Sequence, residues 1–209
     1  ESRREFKARG AKLTRCERCL LAEHYCICEG VQQAECEAAV CLLMYHNESF
    51  KPSNTGRLIA EIIPDNHAFK WDRTNPDSAL LSLLADPQYQ PMVIFPASDV
   101  EDENRVITEV IPEQGKRPLF IFLDGTWREA KKMFKSPCLQ SLPVLGIRPE
   151  MASEYKLREA AHEHQLCTAE VAIEILKLAN DPKAADALSQ YFKIFRRAYI
   201  KGKPHIQNE

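Results

Sequence analysis

Glycine is scarce in this 209-residue chain, seven residues in all, and none of them opens a G-x-G-x-x-G or G-x-x-x-x-G-K sequence. That removes the glycine-rich cradle on which dinucleotide sites and P-loops depend. Long apolar runs are missing as well: residues 38–45 and 118–123 are the longest, far short of the roughly 20 that a membrane-spanning helix needs. No apolar signal-peptide core follows the basic start, no internal repeat is visible and no stretch is compositionally biased. A soluble, cytoplasmic protein without membrane association is therefore expected. At 44% hydrophobic and 28% charged residues, the chain can build one main core with room for a small appendage.

A large net charge is also lacking, since the formal sum is −2. The sum hides segregation along the chain. Arg3, Arg4, Lys7, Arg9, Lys12, Arg15 and Arg18 crowd the start against Glu5 and Glu17, and Lys193, Arg196, Arg197, Lys201 and Lys203 lie near the end with no acid across 191–206. Basic ends of this kind are either solvated tails or phosphate-binding patches.

Cysteine, by contrast, is plentiful, with eight residues. A disulfide framework belongs to small secreted chains, so reduced thiols or a metal site are the better reading. Cys16, Cys19, Cys26 and Cys28 form one set, C-x-x-C followed by C-x-C. Cys36, Cys41, Cys138 and Cys167 are scattered and read as core or loop thiols. Four closely spaced thiolates suit a closed, structural zinc shell, with iron in the same shell or a redox pair as the alternatives. Residues 1–35 are thus read as a basic zinc-binding segment that folds around its metal, and residues 36–209 as the main domain.

Periodicity and breakers predict short buried strands at 40–45, 92–95 and 119–123, with 144–147 a weaker fourth. Helical patterns run over 55–63, with Ser53 or Asn54 as cap, and over 77–84, 127–134, 168–178 and 182–200. Alternation of strands and helices implies an α/β fold with a mostly parallel, helix-covered sheet. Ligands collect beyond the carboxyl ends of such strands, so the segments after them are the place to look. These are Pro96-Ala97-Ser98-Asp99, Asp124-Gly125-Thr126-Trp127 and Arg148-Pro149-Glu150. In the second, Gly125 permits close backbone approach and the helix starting near Trp127 offers unpaired amides. A free Asp124 carboxylate at the strand tip is one reading. A capping role for Asp124 or Thr126, with Trp127 in the core, is the other.

Asp124-Gly125-Thr126-Trp127, continued by Arg128-Glu129-Ala130-Lys131-Lys132-Met133, closely resembles the signature of the DTW-domain family of tRNA-uridine aminocarboxypropyltransferases. The cysteine set, His46-x-Glu48 leading into Ser53-Asn54-Thr55-Gly56-Arg57-Leu58, the Phe95-Pro96 turn and Leu166-Cys167-Thr168-Ala169-Glu170 follow in that family's order. The likeness spans residues 16–195. Val100 and Cys167 depart from it, where a small residue and a serine are frequent.

The resemblance implies a SPOUT-like fold with a C-terminal knot whose loops clasp S-adenosylmethionine. It implies transfer of the 3-amino-3-carboxypropyl group to N3 of a uridine in tRNA, with 5′-methylthioadenosine released. By position, Pro96, Leu123, Gly125, Thr126, Trp127, Leu145 and Thr168 would line the cofactor, held largely through backbone groups. Asp124 is the candidate general base, because uridine N3 is a weak nucleophile until its proton leaves. Thr126 and Trp127 stand beside it, and Glu170 would hold the substrate amino group or orient Thr168; a solvated helix residue is the alternative. His46, Ser53, Asn54 and Thr55 are candidates for the uracil, Asn54 because it both donates and accepts. Capping by Ser53 or Asn54 and a loop role for His46 are compatible with that. Lys51, Arg57, Arg128, Lys131 and Lys132 would meet phosphates around the mouth, and Lys131 and Lys132 could equally stand on an exposed helix face. A monomer without an obligate protein partner is expected. Two rivals are a SPOUT-type RNA methyltransferase and a zinc-stapled RNA-binding protein without catalysis.

Overall fold

A computed structural model describes residues 13–147 and 167–202. The four expected strands form: β1 (Ala39–Met44), β3 (Tyr89–Pro96), β5 (Arg117–Asp124) and β6 (Val144–Ile147). Two more, β2 (Asn66–Lys70) and the two-residue β4 (Val106–Ile107), were not anticipated. All neighbours pair in parallel, giving one six-stranded sheet in the order β2-β1-β5-β3-β6-β4. β2 and β4 are the edges. Each pairs on one side only, so neither needs the doubly apolar sequence of the inner strands.

The helices are α1 (Gly56–Ile62), α2 (Ser78–Ala85), α3 (Trp127–Phe134), α4 (Thr168–Leu178) and α5 (Pro182–Lys201). Their starts follow local chemistry. Asp77 accepts from the Ala79 amide at 2.8 Å to cap α2, and Asp181 accepts from Ala184 at 3.2 Å, with Pro182 next to it, to open α5. At α3 the sequence T-x-x-E closes on itself: the Glu129 carboxylate accepts from both the amide and the hydroxyl of Thr126 at 2.7 Å. Thr126 is therefore the cap, and Asp124 is released from that duty.

Strand alternation sorts the core into two layers. Val40, Leu42, Phe120 and Phe122 face α1, α4 and α5, whereas Ala39, Cys41, Leu43, Leu119 and Ile121 face α2 and α3. Each fully buried Leu or Phe contributes about 1.5–3 kcal/mol against exposure, which is why the inner strands read as unbroken apolar runs. Cys19 and Leu21 of the N-terminal segment join the first layer. Among the described residues no helix is long and apolar enough to cross a membrane. The knot implied by the resemblance concerns the connection from β6 to α4, most of which lies outside the described residues, as do Arg148-Pro149-Glu150 and Leu166.

Candidate functional site

Because every strand points the same way, their carboxyl ends share one edge, and there three separate segments close on one carboxylate. Asp124 ends β5 in register with Met44 of β1, and its carbonyl accepts from the Tyr45 amide at 2.9 Å. Its side chain is only 2% exposed. Thr168, the first residue of α4, donates its hydroxyl to Asp124 Oδ1 at 2.7 Å, and the Asn54 amide donates to Oδ2 at 2.6 Å. The strand-tip carboxylate is thus engaged on both oxygens rather than free. Gly56 presses against it from α1: a Cβ there would lie 2.6 Å from Oδ2. Thr55, 3% exposed, accepts from the Ala169 amide at 3.2 Å and so ties the start of α1 to the start of α4.

Glu48 is the second buried acid, 1% exposed, in the short 3-10 turn Glu48–Phe50 that follows the left-handed Asn47 (φ 65°). Asn54 Nδ2 reaches it at 3.4 Å, and Lys51 forms an ion pair with it. One amide group therefore spans two carboxylates from different loops, and Lys51 supplies a cation beside them. Lys51 is held to this pair, not extended toward solvent. Glu48 was legible only as part of His46-x-Glu48; its burial carries the role, and burial in a turn has no sequence period. His46 is exposed and Ser53 half-buried.

Arg57, expected among the phosphate contacts, turns inward. Its guanidinium donates to the Ser49 carbonyl at 2.7 Å and the Arg18 carbonyl at 3.1 Å, while Nε is buried without a partner. Two backbone acceptors at the joint of turn and N-terminal segment outbid solvent for a fork of donors. Burial pulls its pKa down, and the charges of Asp124, Cys19, Glu61 and Cys28 pull it back.

The residues expected around the cofactor sit at the same edge, most of them buried or half-buried and Thr126 exposed. Leu145 is fully buried in β6, and Trp127 stacks on Phe95 at 5.2 Å with Lys131 over its ring at 5.0 Å. Lys131 also pairs with Asp99 at 2.6 Å. Leu123 and Pro96 are half-buried at their strand ends, and at Gly125 an added Cβ would stand 3.1 Å from Glu129 Cβ and 3.2 Å from Tyr45 Cβ. Glu170 accepts from the Cys167 amide at 2.9 Å and so closes a capping box around Thr168. Arg128 and Lys132 are exposed on α3, Lys132 lying 6.0 Å from the Tyr45 ring. A small cavity of about 120 Å³ near Trp71, Lys70 and Arg73 has neither Asp124 nor Thr168 in its lining.

The four N-terminal cysteines converge. The sulfurs of Cys16, Cys19, Cys26 and Cys28 all lie within 4.8 Å of one another, with Cys16–Cys28 at 3.7 Å and Cys19–Cys26 at 3.9 Å. A tetrahedral ion with metal–sulfur bonds of about 2.3 Å spaces its sulfurs about 3.8 Å apart, so the cluster could hold a metal ion such as structural zinc. These spacings are too long for disulfides, which need about 2.05 Å. The knuckle is shaped by Leu20 in the left-handed region (φ 57°) and by hydrogen bonds joining Leu20 to Cys16 and Cys16 to Leu21 at 2.8 and 2.9 Å. The Cys19 amide, directed at Cys16, brings that thiol down to about 7, and burial pushes Cys19 and Cys28 up. Away from the cluster, burial pushes Cys36 and Cys41 up to about 12, as expected of inert thiols.

The DTW domain family model matches residues 13–200, which takes in the cysteine cluster, the whole sheet and both C-terminal helices. No solved structure matches the chain.

Proposed function

The chain belongs to the DTW-domain family, a family associated with tRNA modification, and on that premise we propose that it transfers the 3-amino-3-carboxypropyl group of S-adenosylmethionine to N3 of a uridine in tRNA, releasing 5′-methylthioadenosine. The observation that carries this reading is the buried Asp124, held by Thr168 and Asn54 where three loops meet at the carboxyl edge of the sheet. Open parallel sheets bind their ligands at that edge.

S-adenosylmethionine supplies an activated carbon whose sulfonium is already a good leaving group. The protein's share is then to orient and to move one proton. Thr168 stands half-buried between Asp124 and the edge, donating to Oδ1 and keeping its oxygen lone pairs for a uridine N3–H. As N3 gives its proton to Thr168, the threonine passes its own to Asp124, and the buried carboxylate serves as base without meeting the substrate. Asn54 and Glu48 fix the second oxygen. Pro96, Leu123, Gly125, Thr126, Trp127 and Leu145 would hold the cofactor by main-chain groups, which suits the packed side chains of Leu145 and Trp127 and the capping role of Thr126. Arg128 and Lys132 on α3, and Lys193, Arg197 and Lys201 on the exposed side of α5, would take tRNA phosphates, which set register rather than read sequence. Phe50, 61% exposed beside Lys51, offers a face on which an unpaired base can stack.

The test incubates the purified chain with S-adenosylmethionine and unmodified tRNA and weighs the digested nucleosides, beside Asp124→Asn. An aminocarboxypropyl gain on uridine that falls at least about 100-fold in the variant is expected. A methyl gain would replace this reading with a methyltransferase, and no gain on any tRNA would leave a binding protein.

A further inference from the structure

One residue, Arg57, touches both the cysteine cluster and the Asp124 cluster. Arg57 donates from its guanidinium to the Arg18 carbonyl at 3.1 Å, and Arg18 lies inside the Cys16-x-x-Cys19 knuckle. From its backbone, the Arg57 amide donates to Asn54 Oδ1 at 3.3 Å, and Asn54 grips Asp124 at 2.6 Å. Arg57 therefore touches both clusters, the Asp124 clamp through its backbone amide and the Cys16–Cys19 knuckle through its guanidinium. A group that fixes the peptide between two ligating cysteines fixes the orientation of the shell they form. Arg18 adds a second clasp by pairing with Glu61 of α1.

We propose that Arg57 is a positioning residue that couples metal occupancy at Cys16, Cys19, Cys26 and Cys28 to the Asp124 cluster, so that each site stabilises the organised form of the other. Coupling of this kind is reciprocal: the factor by which bound metal favours the organised Asp124 cluster is the factor by which that organised cluster raises metal affinity. The dependence runs through α1's first turn, where Gly56 leaves no slack against Asp124. The coupling itself stands without the transferase reading; only its consequence for the reaction rests on it.

The test therefore uses no substrate. Metal release from the zinc-loaded full chain into excess chromogenic chelator is timed for wild type, Asn54→Ala, Arg57→Gln and the double variant. Asn54→Ala, a substitution in the Asp124 clamp, speeds release by about threefold or more, and adds nothing in the Arg57→Gln background. Arg57→Lys, which keeps the charge and a donor, falls between wild type and Arg57→Gln. Release unchanged by Asn54→Ala, or two effects that simply multiply, would overturn the coupling. Should the Arg57 variants fail to hold metal, hydrogen exchange on wild type decides. Stripping the metal then raises exchange across residues 54–58 while α2, on the other layer, stays protected; equal changes in both, or none, count against it.

Discussion

Asp124 sits in a setting that makes a carboxylate hard to reach and easy to hold. A buried acid with both oxygens engaged is well placed to receive a proton and badly placed to touch a nucleobase. In the proposed reaction the half-buried hydroxyl of Thr168 would resolve that conflict, and substitutions there separate two roles by experiment. Thr168→Val keeps the shape and removes the hydroxyl, so kcat is expected to fall about 100-fold with little change in KM for tRNA, whereas Thr168→Ser stays near wild type. Activity kept in Thr168→Val but lost in Thr168→Ser would mean that the methyl group, and hence packing, carries the role. Glu48 works differently: its charge is balanced within the turn by Lys51, so its place is to fix Asn54 rather than to react.

At the level of elements, helix starts do most of the positioning, and α4 shows how. Cys167 occupies the cap position of a C-x-x-E box whose Glu170 returns to the Cys167 amide at 2.9 Å. A thiol is a weak acceptor there, and serine is among the best caps. Cys167→Ser is expected to raise stability by about 0.5–1 kcal/mol, seen as a rise of a few degrees in thermal unfolding at unchanged activity. A fall would show that the sulfur's packing outweighs its poor capping. The inner strands and all five helices were legible because each is a compact apolar run or a 3.6-residue pattern with a cap. β2 was not, because Asn66-His67-Ala68-Phe69-Lys70 is an edge with few apolar positions, and β4 is only two residues long. Their order in the sheet was not legible either, since parallel pairing leaves no mark in a single sequence. Within the site, the motifs marked Asp124, Asn54 and Thr168 separately; that they meet is a matter of topology. That Arg57 reaches the Ser49 and Arg18 carbonyls was not legible either, since the acceptors lie on segments that only the fold brings together.

The whole molecule carries its charge unevenly, and that decides how it can meet a polyanion. The net charge is −2, yet Glu101, Asp102 and Glu103 gather before the β4 edge while α5 presents Lys193, Arg197 and Lys201 outward, interrupted only by Ile194 at 50% exposure. The end of α5 meets the N-terminal segment, where Gly202 lies against Tyr25, so the helix and the metal knuckle form one continuous surface. A polyanion docked there displaces counterions, and affinity falls with salt in proportion to the phosphates engaged. Replacing Lys193, Arg197 and Lys201 together with glutamine should weaken tRNA binding at low salt and flatten the slope of log affinity against log salt by about one per lost contact. Lys183, 83% exposed on the first turn of the same helix and away from that end, is the control: Lys183→Gln should leave the slope as it was. An unchanged slope in the triple variant would move the phosphate contacts to α3, where Arg128 and Lys132 ring the Asp124 edge, and would make α5 a structural helix whose basic face is merely solvated.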